Sequence, residues 1–164
     1  MRTLLAICVI PWLASCAVSA AEFARVEGIR AEAVIVPAAA AKEQIGASEF
    51  SGFWTPTAAD IRGLEERLAG FIKREAVRDK RRSSQISEVH RRLPEYRRQY
   101  VGVISDGRKL ILLNAFPRRD SGEPYFPDWK RELVEVSDGG ASYWKVFYDP
   151  HRQKFDFLAI NGVA

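Results

Sequence analysis

The chain has 164 residues, with 25 Lys and Arg against 21 Asp and Glu for a net charge of +4, and 47% of its residues are hydrophobic. That length and apolar content suit one ordinary domain with its own core and exclude a disordered or low-complexity chain. Both cysteines, Cys8 and Cys16, fall at the extreme N-terminus, which leaves the body without a disulfide, a CxxC redox pair or a cysteine nucleophile.

At the N-terminus Arg2 precedes an apolar run from Leu4 to Leu13, and the tetrad Leu13-Ala14-Ser15-Cys16 follows. The run is shorter than the roughly 20 apolar residues a membrane-spanning helix needs, and Pro11 interrupts it, so it reads as a secretory signal. The tetrad resembles the lipobox of bacterial lipoproteins. That resemblance implies cleavage before Cys16, a lipid on its sulfur and a membrane-anchored protein of the periplasm. Ala17 follows the cysteine where Asp would retain a lipoprotein at the inner membrane, so the same resemblance implies delivery to the outer membrane. The alternative is an ordinary signal-peptidase cut after Ala20 or Ala21, which gives a soluble periplasmic or secreted product. The expected organisation is a signal peptide over 1–15, a lipid attachment and tether over 16–50 that can include a first strand, and a single α+β domain over 51–164.

In chain order, Ala31 to Pro37 with Val34, Ile35 and Val36 predicts a first strand closed by proline, and Ala38 to Ala41 a helical turn. Thr55-Pro56 provides an N-cap acceptor and a fixed φ for a helix that follows, with Asp60 at its positive end. Ile61, Leu64, Leu68, Phe71 and Ile72 then recur at three- and four-residue steps, leaving Arg62, Glu65, Glu66, Arg67 and Lys73 for the opposite face, to about Asp79. Ile86, Val89 and Leu93 predict a second, short helix ending before Pro94. From Tyr96 the pattern alternates, with Tyr96, Arg98, Tyr100, Gly102 and Ile104 on one strand face. Asp106-Gly107 then predicts a type I′ hairpin into Leu110–Phe116. Further strands are predicted over Glu132–Ser137, Ser142–Tyr148 and Phe155–Ile160, separated by Asp138-Gly139-Gly140 and by Asp149-Pro150-His151-Arg152.

These elements predict an α+β fold with one long amphipathic helix packed on a curved antiparallel sheet of about four to six strands, its second face solvated or meeting a partner. The element order is similar to that of cystatin-like and nuclear-transport-factor-like folds. The similarity is one of order and brings no function with it.

The sequence contains no GxSxG elbow, no HExxH, no phosphate-binding glycine loop and no His/Cys cluster at metal-ligand spacing, so no catalytic residue, metal or cofactor is expected. His90 sits among Arg91 and Arg92 as a surface residue, and His151 belongs to a turn. Glu65 with Glu66, or Asp120 with Glu123, would be the carboxylate pairs of a hydrolase acting on envelope glycan. Between Lys73 and Arg98 ten basic residues face four acidic ones. Behind a signal peptide such a segment points away from nucleic acid and toward acidic lipid headgroups, anionic envelope polymers or an acidic protein face.

The stretch from Phe116 to Trp129 is a proline-punctuated loop carrying Tyr125, Phe126 and Trp129 beside Arg118 and Arg119. It is longer and more aromatic than a connector requires. Either it forms a recognition platform or its rings close one end of the core. The expected function is therefore a non-catalytic protein-binding module of the envelope, an inhibitor, immunity or accessory protein, attached to the membrane through Cys16. A small-ligand pocket between helix and sheet is the alternative.

Overall fold

The computed structural model describes residues 22–46, 49–118 and 125–162. Cys16, Arg119, Asp120 and Glu123 lie outside the described residues. The elements are β1 (Ala24–Arg25), β2 (Ala33–Val36), α1 (Ala38–Ile45), β3 (Gly52–Trp54), α2 (Ala58–Arg78), α3 (Ser83–Arg91), β4 (Tyr96–Ser105), β5 (Arg108–Pro117), β6 (Trp144–Asp149) and β7 (Lys154–Ile160). One-turn 3₁₀ helices, Leu93–Glu95 and Gly140–Ser142, lead into β4 and β6.

The fold is α+β, with one seven-stranded sheet in the order β1-β2-β4-β5-β6-β7 and β3 paired to β4. From β4 onward it is the expected antiparallel meander. The hairpin is tight: Ser105 faces Arg108, and Asp106 and Gly107 have φ of 50° and 73°, the two positive values of a type I′ turn. Contrary to the antiparallel expectation, the sheet is mixed, because β2 runs parallel to β4 from Ala33↔Arg98 to Val36↔Val101. β3 continues along the same edge antiparallel, Trp54 facing Gly102. The two short strands abut end to end on β4 because α1, between them, reverses the chain. At the junction a Cβ on Gly102 would come within 2.1 Å of the Trp54 carbonyl oxygen, so only glycine fits there. Thus the stretch 16–50, expected as a tether with at most one strand, contributes β1, β2 and α1.

Thr55 does not cap the long helix. Thr57 does, in a capping box: its hydroxyl accepts from Asp60 N and the Asp60 carboxylate accepts from Thr57 N. Asp60 at the third helical position makes that reciprocal pair possible. Thr55 Oγ1 instead accepts from Ala38 N at 3.0 Å, serving the start of α1, whose own N-cap is Pro37.

One face of the sheet carries α2 and α3. Ile61, Leu64, Leu68, Phe71 and Ile72 of α2 pack with Ile86 and Val89 of α3 over Tyr96, Tyr100, Ile111, Leu113, Trp144, Val146 and Tyr148. The other face is covered too: Phe23, Ala41, Trp129 and Val134 lie over Val34, Val36, Val101, Leu112 and Phe116. Glu132–Ser137 is not a strand. Val134 is buried and Leu133 and Val136 are half-buried against the same face of the sheet, while Glu132 and Glu135 are exposed, so the segment packs on the sheet without ladder pairing.

Candidate functional site

Two regions combine shape with chemistry. The first is the aromatic loop. Trp129 is buried against the edge of Phe116 at 5.8 Å, beneath the Arg97 guanidinium at 5.2 Å from its ring. Phe126 is half-buried and meets Phe116 at 5.6 Å and Tyr143 at 6.2 Å, both edge-on. Tyr125, 60% exposed, stands beside Phe126 at 5.6 Å. Arg118, at the end of β5, is exposed, and its amide donates to Glu95 O at 2.9 Å. The structure therefore divides the expected aromatic trio: Trp129 plugs the core and Tyr125 faces solvent. A cavity of about 360 Å³ lies alongside, lined by Gln44, Tyr125, Phe126, Trp129 and Leu133 among others.

The second region lies between α2 and α3, beside the basic segment from Lys73 to Arg98. Arg98 on β4 is 4% exposed. Its Nη1 is paired with Glu65 Oε2, its Nη2 donates to Leu93 O at 2.8 Å, and the buried Tyr100 hydroxyl donates to Glu65 Oε1 at 2.6 Å. Glu65, assigned from its polarity to the outer face of the long helix, instead turns toward the sheet. It stands four residues from Ile61 and three from Leu68, on the apolar stripe itself, and this spacing was the signal available in the sequence.

Burial raises the Tyr100 phenol well above its ordinary value and the Glu65 carboxylate adds to this. Burial works against the charged Arg98, but Tyr100 and Glu65 opposite it more than offset that and raise its pKa. Arg98 thus stays charged and the Tyr100 phenol neutral. The cluster floors a groove of about 740 Å³ whose walls include Arg30, Arg62, His90 and Arg91.

The sequence-derived carboxylate pair does not converge. Both Glu65 oxygens are engaged by Arg98 and Tyr100, while the Glu66 side chain is 73% exposed and lies 3.5 Å from Arg67. His90 is half-buried on the groove wall, and His151 is exposed in the β6–β7 turn. Among the described residues no group of His, Cys, Asp and Glu is arranged to hold a metal ion, and no helix is long and apolar enough to cross a membrane. Comparison with known protein families, with curated proteins and with solved structures yields no match to this chain.

Proposed function

We propose that the chain is an exported, non-catalytic binding module of the bacterial envelope, anchored at the outer membrane through a lipid on Cys16, that captures a protein partner through the surface carrying Tyr125 and Phe126. The observation that carries the reading is the exposed Tyr125 ring held against a half-buried Phe126, which is itself backed by Phe116. A rigidly backed aromatic loses little side-chain entropy on binding, and tyrosine is among the residues that dominate interface energetics. The adjoining cavity can accept a partner side chain, and Arg118 and Arg119 flank the loop in sequence as further contacts. A cystatin-like or nuclear-transport-factor-like layout for the domain rests on the order of α2 and the β4–β7 meander.

The test is cross-linked capture from envelope extracts, comparing the wild type with Tyr125→Ala and Trp129→Ala. Tyr125→Ala should leave the unfolding midpoint unchanged and lose the captured partner. Trp129→Ala should destabilise the fold by about 3–5 kcal/mol. Retention of the same partners by Tyr125→Ala removes the platform. The second reading, a small-ligand domain, is favoured by one observation, the α2–α3 groove over the Arg98–Glu65 pair.

A further inference from the structure

We propose that the α2–α3 groove is a binding site for an amphiphilic anion, a phosphate or carboxylate head on an apolar tail. The inference does not depend on the protein-binding surface, which lies on the other face of the sheet.

The charge of the groove selects the head. Arg30, Arg62 and Arg91 are exposed on its walls, and none of them has an ion-pair partner among the described residues. Of the two carboxylates in the lining, Glu65 is held by Arg98 and Tyr100, and Glu66, largely exposed, lies 3.5 Å from Arg67. Arg30, Arg62, Arg91 and Arg98 outnumber Glu65 and Glu66 in the lining, and an anion among the exposed arginines relieves their mutual repulsion while accepting charge-assisted hydrogen bonds. Arg98, paired with Glu65, lies buried at the floor. Its Nε, buried, has no acceptor among the described residues, so this guanidinium is not saturated by the protein around it.

The remaining lining selects the tail. Ile29, from the loop before β2, Ala69 of α2, and Leu93 and Pro94 of the 3₁₀ turn give the groove an apolar side. Its volume of about 740 Å³ lies within the range of about 300–1,000 Å³ usual for small-molecule sites, more than a bare phosphate needs. Of the basic segment from Lys73 to Arg98, Arg91 and Arg98 line the groove, whereas Arg78, Arg82 and Arg92 pair with Glu75, Asp79, Glu88 and Glu95.

The experiment is calorimetric titration of the full chain with dodecyl phosphate below its micelle concentration, with inorganic phosphate and with dodecyltrimethylammonium. The expected result is one-to-one binding of dodecyl phosphate, affinity for inorganic phosphate at least about tenfold weaker, and none for the cation. The double substitution Arg62→Ala, Arg91→Ala touches only exposed side chains and should weaken dodecyl phosphate by about tenfold or more with an unchanged thermal midpoint. Flotation with phosphatidylcholine vesicles containing phosphatidylglycerol assigns the source: recovery that the double variant loses identifies a lipid headgroup, and absence of recovery identifies a free amphiphile. No binding of dodecyl phosphate, undiminished binding in the double variant, equal affinity for the cation, or inorganic phosphate binding as tightly as dodecyl phosphate overturns the proposal.

Discussion

Gln99 and Asn114 face each other across β4 and β5, and their two side-chain amides fasten the 129–134 segment to the sheet. Gln99 Nε2 donates to the carbonyls of Trp129 and Glu132, each at 2.6 Å. Gln99 Oε1 accepts from Val134 N at 3.0 Å and from Asn114 Nδ2 at 3.1 Å. Asn114 Nδ2 also donates to Val134 O at 2.8 Å. Backbone groups that a strand would satisfy by ladder bonds are satisfied here by two buried amides.

Replacing Gln99 by Leu keeps the volume and leaves the Trp129 carbonyl, the Val134 amide and Asn114 short of partners. A buried unsatisfied group costs about 1–3 kcal/mol, so Gln99→Leu should lower stability by about 3 kcal/mol in a denaturant titration. Hydrogen exchange should speed up at Val134 N while the β4–β5 amides remain protected. Uniform loss of protection across the sheet would show that the segment is not a separately held unit.

On the opposite face, Leu64 and Leu68 are fully enclosed at 0% and 1% exposure. Either changed to Ala should cost about 2–5 kcal/mol, whereas Glu66→Ala, on the solvent side, should stay within about 0.5 kcal/mol. Urea midpoints of the three variants check the assignment of the helix face.

The apolar stripe of α2, the Asp106-Gly107 hairpin and the meander were legible because each rests on a local signal: a period of 3.6, a turn dipeptide, an alternation. The parallel β2–β4 pair was not, since nothing near Ala33 specifies Arg98 as its neighbour. The 132–137 segment deceived for a related reason: its sequence alternation suggests a ladder, but side-chain amides from β4 and β5 hold it on the sheet instead. Thr55-Pro56 carries the cap signature as faithfully as Thr57 with Asp60, and the reciprocal bond decided between them. For the groove, Arg98 and Tyr100 were placed on one strand face correctly, but Glu65 was read by its charge, and its position on the stripe went unused.

Three of the five tyrosines make stability pH-dependent on the alkaline side. Burial pushes Tyr96 up to about 12, and burial followed by the Glu65 charge holds Tyr100 well above its ordinary value. Burial raises Tyr148 as well. In the unfolded chain these phenols ionise near pH 10. Between that pH and the folded values the native state holds more protons than the unfolded one, so the stabilisation is complete below about pH 10 and is lost as pH rises through about 12. Urea midpoints should be level between about pH 8 and 9.5 and fall at pH 11. Tyrosinate absorbance should develop together with unfolding. A midpoint unchanged at pH 11 would show that these phenols ionise without opening the core.

On the proposed lipoprotein reading, the lipid is carried by Cys16. Cys16→Ser should abolish fatty-acid labelling and move the protein out of the membrane fraction. Wild-type protein without label, or a variant with unchanged label, removes the lipoprotein reading and leaves the cut after Ala20 or Ala21.

The parallel pairing of β2 with β4 also sets an order of events for the chain. The β4–β5 hairpin closes over two residues, Asp106 and Gly107, while Ala33 finds Arg98 only across α1, α2 and α3, which lie between them in the chain. Closing so distant a contact carries a loop entropy that the hairpin escapes. A polypeptide emerging N-terminus first, from a ribosome or through a translocation pore, therefore presents Val34, Ile35 and Val36 to its surroundings long before their partner strand exists. Those three adjacent β-branched residues, buried in the native sheet, form an apolar segment whose exposure before β4 appears favours association with other chains.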